Sequence, residues 1–279
     1  MPLKRKKSHV FKDSRIIFSF SIISIFIFSA IFGPLLLSQG IQEGDLSLKL
    51  CTPYPQHPFG CDLHGQDVLT EMILGSRISL YIAFFTVLLS TTIGIAAGLV
   101  SGFYKGFLDM FIMRFVDILM AFPGILLALS LSSLLGPSLH NLIISITATG
   151  WTSTARLVRG QVLSLSEREY VVAAKAIGAS SFRTLVLHIL PSLTTPLLVS
   201  TSFSLSGVIL VEASLSFLGL GAQGETPSWG ALLNQGRSAL SEAPHLSIFP
   251  GTAILLVVLA FNFLGDALRD HLDPKQFKK

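Results

Sequence analysis

Long apolar runs alternate with short polar stretches along the chain, and that alternation predicts most of its elements. The first run, 16–37, follows a head carrying Lys4, Arg5, Lys6, Lys7, Lys12 and Arg15. It is longer than a signal-peptide core and no A-x-A-like cleavage site follows it, so an uncleaved first helix is expected. Residues 38–77 are polar and turn-rich, with Pro53, Pro55, Pro58, Gly60 and Gly65. They read as a loop or small subdomain with little regular structure. Further apolar runs cover 78–100, 115–135, 139–157, 193–215 and 246–264. The third contains Pro123-Gly124, where a lost backbone bond and a steric clash predict a kink. The fourth is the weakest, rich in Ser and Thr. A short connection is expected at 103–114, a second long loop at 216–245 and a polar tail at 265–279. Backbone groups in hydrocarbon must pair within their own segment, so runs of this length become helices. The expected fold class is an all-α polytopic membrane protein with six transmembrane helices, the last five forming a core over 78–264.

Composition agrees: 51% of residues are hydrophobic and 13% charged, against roughly 25% charged in soluble domains. Six spans place both termini on one side. Of the 20 Lys and Arg, all but Lys49, Arg77 and Arg237 fall on that side, in 1–15, 103–114, 156–183 and 265–279. The positive-inside rule makes that side cytoplasmic, and 38–77 and 216–245 extracytoplasmic. The basic residues are therefore sided, and the net charge of +4 is no argument for nucleic acid. Cys51 and Cys61 share one loop. A disulfide and free thiols are both open readings there.

One polar stretch, 166–192, interrupts the apolar runs. Ser166 and Glu169 have capping-box spacing, Ala173, Ala174 and Ala176 favour helix, Gly178 turns the chain, a second short helix starts at Phe182, and Pro191 closes the unit. This cytoplasmic helix pair needs something to pack on, and a partner protein is the expected answer. Within the second run, Ser90, Gly94, Gly98 and Gly102 repeat at spacing four. That register places small residues on one face, where a neighbouring helix can approach closely.

Recognisable catalytic chemistry is missing. There is no G-x-x-x-x-G-K-[ST], H-E-x-x-H, G-x-S-x-G or C-x-x-C, so the chain is not expected to bind ATP itself or to be an enzyme. The span centres are almost uncharged, unlike ion-coupled pumps. Asp117 and Glu212 sit near span ends, where water or a partner is expected to reach them. Hydroxyls on the fifth span (Ser200, Thr201, Ser204) are candidate lining for a polar-solute path. The opposing reading is that they bond their own backbone. His57, Cys61 and His64, with Asp62 and Asp67, match no standard zinc spacing, and no metal site is expected.

Several stretches together resemble the inner-membrane permease subunits of binding-protein-dependent ABC importers, in the dipeptide/oligopeptide/nickel branch. Val172-Ala173-Ala174, then Gly178 and Leu190-Pro191, resemble the cytoplasmic Glu-Ala-Ala-x3-Gly signature of these permeases. HPFGCDLHGQDVLTEMILGSRISL (57–80), EASLSFLGLGAQGETPSWGALL (212–233) and FNFLGDALRDHLDP (261–274) resemble three further branch patterns, in the same order. The resemblance is to the second permease of the pair. It implies the type I ABC importer permease fold, a multi-pass position in the bacterial inner membrane with surrounding lipid, and three kinds of protein partner. These are a homologous partner permease, cytoplasmic ATPase subunits that use the ATP, and an extracytoplasmic solute-binding protein. It also makes 158–192 the coupling segment, with Glu169, Tyr170, Ala173, Ala174, Ile177, Gly178 and Pro191 at the ATPase. Peptide is the implied cargo, with nickel or another small solute as the alternative; a stand-alone secondary transporter is the reading from a different class. Three departures stand out. Val172 replaces the usual Glu, leaving Glu169 or Glu167 as the nearest carboxylates, Gln66 replaces a usual Arg, and Cys61 replaces a usual Thr.

Overall fold

A computed structural model describes residues 13–37, 44–221 and 227–272. The basic head before Asp13, part of the second long loop (222–226) and the tail after Leu272 lie outside the described residues. Among the described residues ten α-helices occur in order: α1 Ser14–Leu36, α2 Val68–Tyr104, α3 Gly106–Met120, α4 Gly124–Leu135, α5 Leu139–Leu165, α6 Glu169–Ala176, α7 Ser181–Arg183, α8 Thr194–Phe217, α9 Trp229–Arg237 and α10 His245–Leu272. No strand occurs among the described residues, only two isolated bridges in the 44–67 loop.

By length and composition α1, α2, α8 with the helical turns before it, and α10 are able to cross a membrane, and the bent pair α3–α4 makes a fifth such segment. The expected sixth, α5, is long enough at 27 residues, about 40 Å, but is less apolar. Its surroundings explain that. A Cβ on Gly94 would meet Thr154, one on Gly98 would meet Ala155 and Val158, and one on Gly102 would meet Val162. The numbering rises together on both helices, so α5 runs parallel to α2 and is shielded by it along its length. A shielded helix does not need an apolar surface all round.

The ends of the bundle are fixed by polar contacts. Arg15 at the start of α1 bonds Asp13 at 2.8 Å and reaches Asp270 near the end of α10 at 2.9 Å. Both bonds hold the Asp13–Asp270 pair around one guanidinium, and Arg15 keeps the Asp13 carboxyl below its usual range. The two described ends of the chain therefore lie on one face of the bundle, as an even number of traverses requires. At the opposite face, Phe59 of the 44–67 loop stacks on Phe249 of α10 with ring centroids 4.0 Å apart.

Several boundaries differ from the sequence reading. The expected connection at 103–114 is helical almost throughout. Only Lys105 and Gly106 depart, with φ of 55° and 61°, and they turn α2 into α3. Pro123 does more than kink a span: α3 stops at Met120, α4 restarts at Gly124, and the two are bent by 86°. The loop expected at 38–77 ends early because Asp67 caps α2, accepting the Thr70 amide at 2.8 Å. The second loop contains α9, capped by Ser228, and the tail is helical to Leu272. Cys51 and Cys61 are joined in a disulfide.

Three apolar clusters hold the bundle. The largest joins α1, α2, α8, α9 and α10 around Trp229, Ile209, Val257 and Phe261. A second packs α2, α4, α5 and α8 around Ile82, Leu142 and Leu215. The third, around Val158, Val162, Val171, Leu185 and Ile189, carries α6.

Candidate functional site

The unit at 166–192 is built differently from its sequence reading. Ser166 does not cap α6. It closes α5, its hydroxyl oxygen is buried without a partner, and Arg168 stands at the α6 N-cap with no side-chain bond. The second half is one helical run: α7 passes into a π-helical stretch at Thr184–Ile189, a 3-10 turn at Leu190–Leu193, and then α8. Pro191 therefore does not close the unit. It stands inside the run, at the step from the π-helical stretch to the 3-10 segment, where the hydrogen-bonding pattern changes.

Gly178 behaves as expected. Its φ is +87°, a left-handed conformation that costs a side-chain-bearing residue roughly 1–2 kcal/mol. The Ala179 amide donates to the Ala174 carbonyl and the Gly178 amide to that of Lys175, each at 3.0 Å. These two bonds make a Schellman motif. Val171 is buried in the third cluster and Ala174 is buried beside it on α6, so Ala174 does not belong to an outward contact face. Glu169, Tyr170, Val172, Ala173, Ile177 and Gly178 are exposed. Ile177 is 87% and Phe182 76% exposed. Nothing lies within 4 Å of a Cβ built at Gly178. The Tyr170 hydroxyl lies 3.3 Å from that of Ser192, and Lys175 sits 4.7 Å over the Phe103 ring. A rigid, partly apolar protrusion thus stands at the face of the bundle that holds both described chain ends.

The stripe Ser90, Gly94, Gly98, Gly102 is buried and forms the α2–α5 seam. At Gly94 a Cβ would lie 2.6 Å from Thr154 Cβ, at Gly98 2.6 Å from the Ala155 carbonyl oxygen, and at Gly102 2.8 Å from Val162 Cβ. Ser90 meets Gly150 of α5 in the same way. Small residues thus recur on both helices, which lets the backbones approach.

Beside this seam α2, α4, α5 and α8 enclose an open recess of about 240 Å³. Of the hydroxyls proposed for a path, Ser204 lines it; Ser200 and Thr201 do not. Thr201 donates to the carbonyls of Leu197 and Leu198, which is the backbone-bonding alternative. The hydroxyl wall instead comes from Ser90, Thr91, Thr149, Ser153 and Thr154, with Gly124, Gly150 and Gly207 leaving space. The α5 contribution was missed. Its signal was the unusual Ser/Thr content of the fourth run, read there only as weak hydropathy.

Two ion pairs flank the recess at the α3–α5 contact. Arg159 grips Asp109 through two bonds of 2.5 and 2.6 Å, and Ser101 donates to the same carboxylate. Arg156 bonds Asp117 at 2.7 Å, both half-exposed. Glu212 is not reachable by water, contrary to expectation. It is buried, accepts from Ser216 at 2.7 Å and from Ser79 at 3.4 Å, and Ser79 in turn accepts the Trp229 amide at 3.2 Å. Glu212 therefore ties α8, α2 and α9 together. Among the described residues no three His, Cys, Asp or Glu group as metal ligands do.

Residues 94–278 match the family described as "Binding-protein-dependent transport system inner membrane component". The chain belongs to this family. The match takes in most of the α2–α5 seam, the recess and α6. The dipeptide transport system permease protein DppC of Alkalihalophilus pseudofirmus is 42% identical over 264 residues, covering 95% of this chain and 87% of that protein. The glutathione transport system permease protein GsiD of Escherichia coli is 46% identical over 223 residues, covering 80% and 74%. A chain of the MetNI methionine ABC transporter, solved in inward-facing conformations, superimposes with a TM-score of 0.61 at 16% identity, covering 74% of this chain and 97% of that one. This inner membrane component therefore has the fold of an ABC importer permease and works in transport.

Proposed function

We propose that the chain is one of two permeases lining the path of an ATP-driven peptide importer, with α6 and the Gly178 turn seated on a cytoplasmic ATPase subunit. The observation that carries this reading is the protrusion itself. A membrane bundle that buries Val171 and Ala174 still leaves Ile177 and Phe182 almost wholly open around a rigid turn. Covering one such side chain is worth about 1.5–3 kcal/mol, so a protein groove on that face is the expected partner. The face is assigned to the cytoplasm from the Lys/Arg distribution, and the disulfide loop to the oxidising side. Peptide cargo is supported by what DppC and GsiD are named for. The hydroxyl-lined recess suits a polar solute that must bind weakly and leave. The partner permease would complete its open side, and a solute-binding protein would meet the disulfide loop and α9. ATP on one side and loaded binding protein on the other would bias the inward-open and outward-open states.

The test is a pair of substitutions on the protrusion. Gly178→Trp and Ile177→Asp project into open space, so both variants insert normally. Uptake should vanish in each, and the ATPase should no longer co-purify. Gly178→Asn, which tolerates the left-handed turn with less bulk, should keep part of the uptake. Normal uptake in Gly178→Trp would sink the coupling assignment.

A further inference from the structure

We propose that the cleft between α1 and α2 is a binding site for one phospholipid, with Arg77 holding its phosphate and an acyl chain lying along α1. The cleft has a volume of about 780 Å³, well within the size of built ligand sites. Its walls are Ile27 and Ile31 of α1 and Leu80 and Phe84 of α2, and its floor is Leu205 of α8 and Phe261 of α10. One cation stands in this apolar lining. Arg77 has no carboxylate partner among the described residues, and Tyr81 follows it one helical turn later on the same face of α2.

The register sets the direction of the occupant. α1 and α2 touch where Ser29 and Ser76 lie 3.1 Å apart and where Gly33 packs on Ile73. The two helices are thus antiparallel, and Pro34 and Leu35 mark the end of the cleft on the side of the disulfide loop. Side chains on a helix lean toward its N-terminus, so Arg77 leans toward that same end. Long cationic side chains place their heads at the membrane interface in this way. The result is a cation directed toward the disulfide-loop end of the cleft, with apolar walls running inward from it, which is the polarity of a phospholipid. A free phosphate would leave the apolar walls unused. A helix of another protein would need an acidic residue at this depth to neutralise the guanidinium, whereas phosphate diesters surround every membrane protein. The site is separate from the recess and from α6, and the inference does not depend on the cargo.

The experiment uses the full chain co-purified with its partner subunits in mild detergent, with native mass spectrometry of retained phospholipid. Wild type should keep one phospholipid through delipidation. Arg77→Gln and Ala30→Trp, which remove the charge and fill the cleft, should each lower retention about tenfold, the loss expected for one charge-assisted contact. Arg77→Lys keeps the charge and should keep much of the lipid, showing that the loss follows charge and not misfolding. Lys49→Gln, away from the cleft, should match wild type. Equal retention in wild type and Arg77→Gln, no retained phospholipid in wild type, or equal loss in Arg77→Lys and Arg77→Gln would overturn the proposal. Cross-linking of Ile27→Cys to another protein chain in place of lipid would overturn it too.

Discussion

Gly98 shows how one missing side chain sets the position of a whole helix. Its absent Cβ leaves room for the Ala155 carbonyl and Val158, which would lie 2.6 and 2.7 Å from that atom. Both are on the backbone or branch point of a packed helix, so neither can swing away. Gly98→Leu should therefore force α2 and α5 apart and destabilise the protein by about 3 kcal/mol or more, the upper range for overpacking. Gly160→Leu on α5 is the control, because nothing lies within 4 Å of a Cβ built there. Thermal unfolding of the two purified variants separates them; equal melting temperatures would mean that the seam is not a tight contact. This stripe was legible in the sequence because a four-residue period dictates a shared face whatever the helix packs on. Hydroxyl content carries no such direction: Thr201 turns to its own backbone, and Ser200 does not line the recess. Glu212 was misplaced for a related reason: its position near a span end said nothing of Ser79 and Ser216, which come from two helices and bury it.

Among the elements, those bordered by hydrocarbon were the easiest to read. The α1, α8 and α10 runs must be apolar on most of their surface, and their boundaries fall within a few residues except where a helix continues into water. The first turns of α2 and the last of α10 carry Glu71, Asp266 and Asp270, so hydropathy alone cut both helices short. Cap chemistry would have recovered the α2 start, since Asp67 followed by Thr70 and Glu71 is a helix-start signal. The π-helical stretch at Thr184–Ile189 has no local signature; it lies where the turn after α6 is fused to a long helix. The 44–67 loop is a different case, held by tertiary ties and not by periodicity. Its Cys51–Cys61 bond closes a segment with sequence separation 10, worth about 3 kcal/mol to that loop in the chain-entropy account. The double variant Cys51→Ser, Cys61→Ser should leave the transmembrane bundle assembled but make the loop sensitive to protease. Its contact with α10 through Phe59 and Phe249 should loosen as well. Limited proteolysis with and without reductant reports this directly, and resistance unchanged by reduction would show that the apolar contacts suffice without the bond.

At the scale of the molecule, the packing separates a tightly packed part from a more lightly held one. α2 and α5 are locked by glycines along their length, and α1, α8, α9 and α10 share the largest core. The α3 end of the α3–α4 pair is held more lightly. The pair is bent at Pro123 and exposes Phe107, Phe111 and Leu134; α4 packs on α5 through the second apolar cluster, whereas α3 meets α5 through Asp109–Arg159, Asp117–Arg156 and the stacked Phe115 and Trp151 rings. A transporter that alternates between two openings needs an element whose contacts can be exchanged at modest cost, and ion pairs at a partly exposed face meet that need. Asp109 is the better test because Arg159 and Ser101 both converge on it and its side chain is only 17% exposed. Reversing one charge, as in Asp109→Arg or Arg159→Asp, leaves like charges facing each other and should cost about 2–3 kcal/mol in a partly buried pair. Exchanging both residues restores opposite charges, though Ser101 would lose its acceptor, so recovery should be incomplete. Unfolding and uptake of the two single variants and the exchange give a coupling energy free of most single-site effects. If the exchange is as unstable as the sum of the single variants, the pair does not couple α3 to α5. If stability recovers while uptake does not, the contact is remade during transport and its polarity matters in both arrangements, because the same carboxylate must then find a second donor when the α3–α4 corner moves.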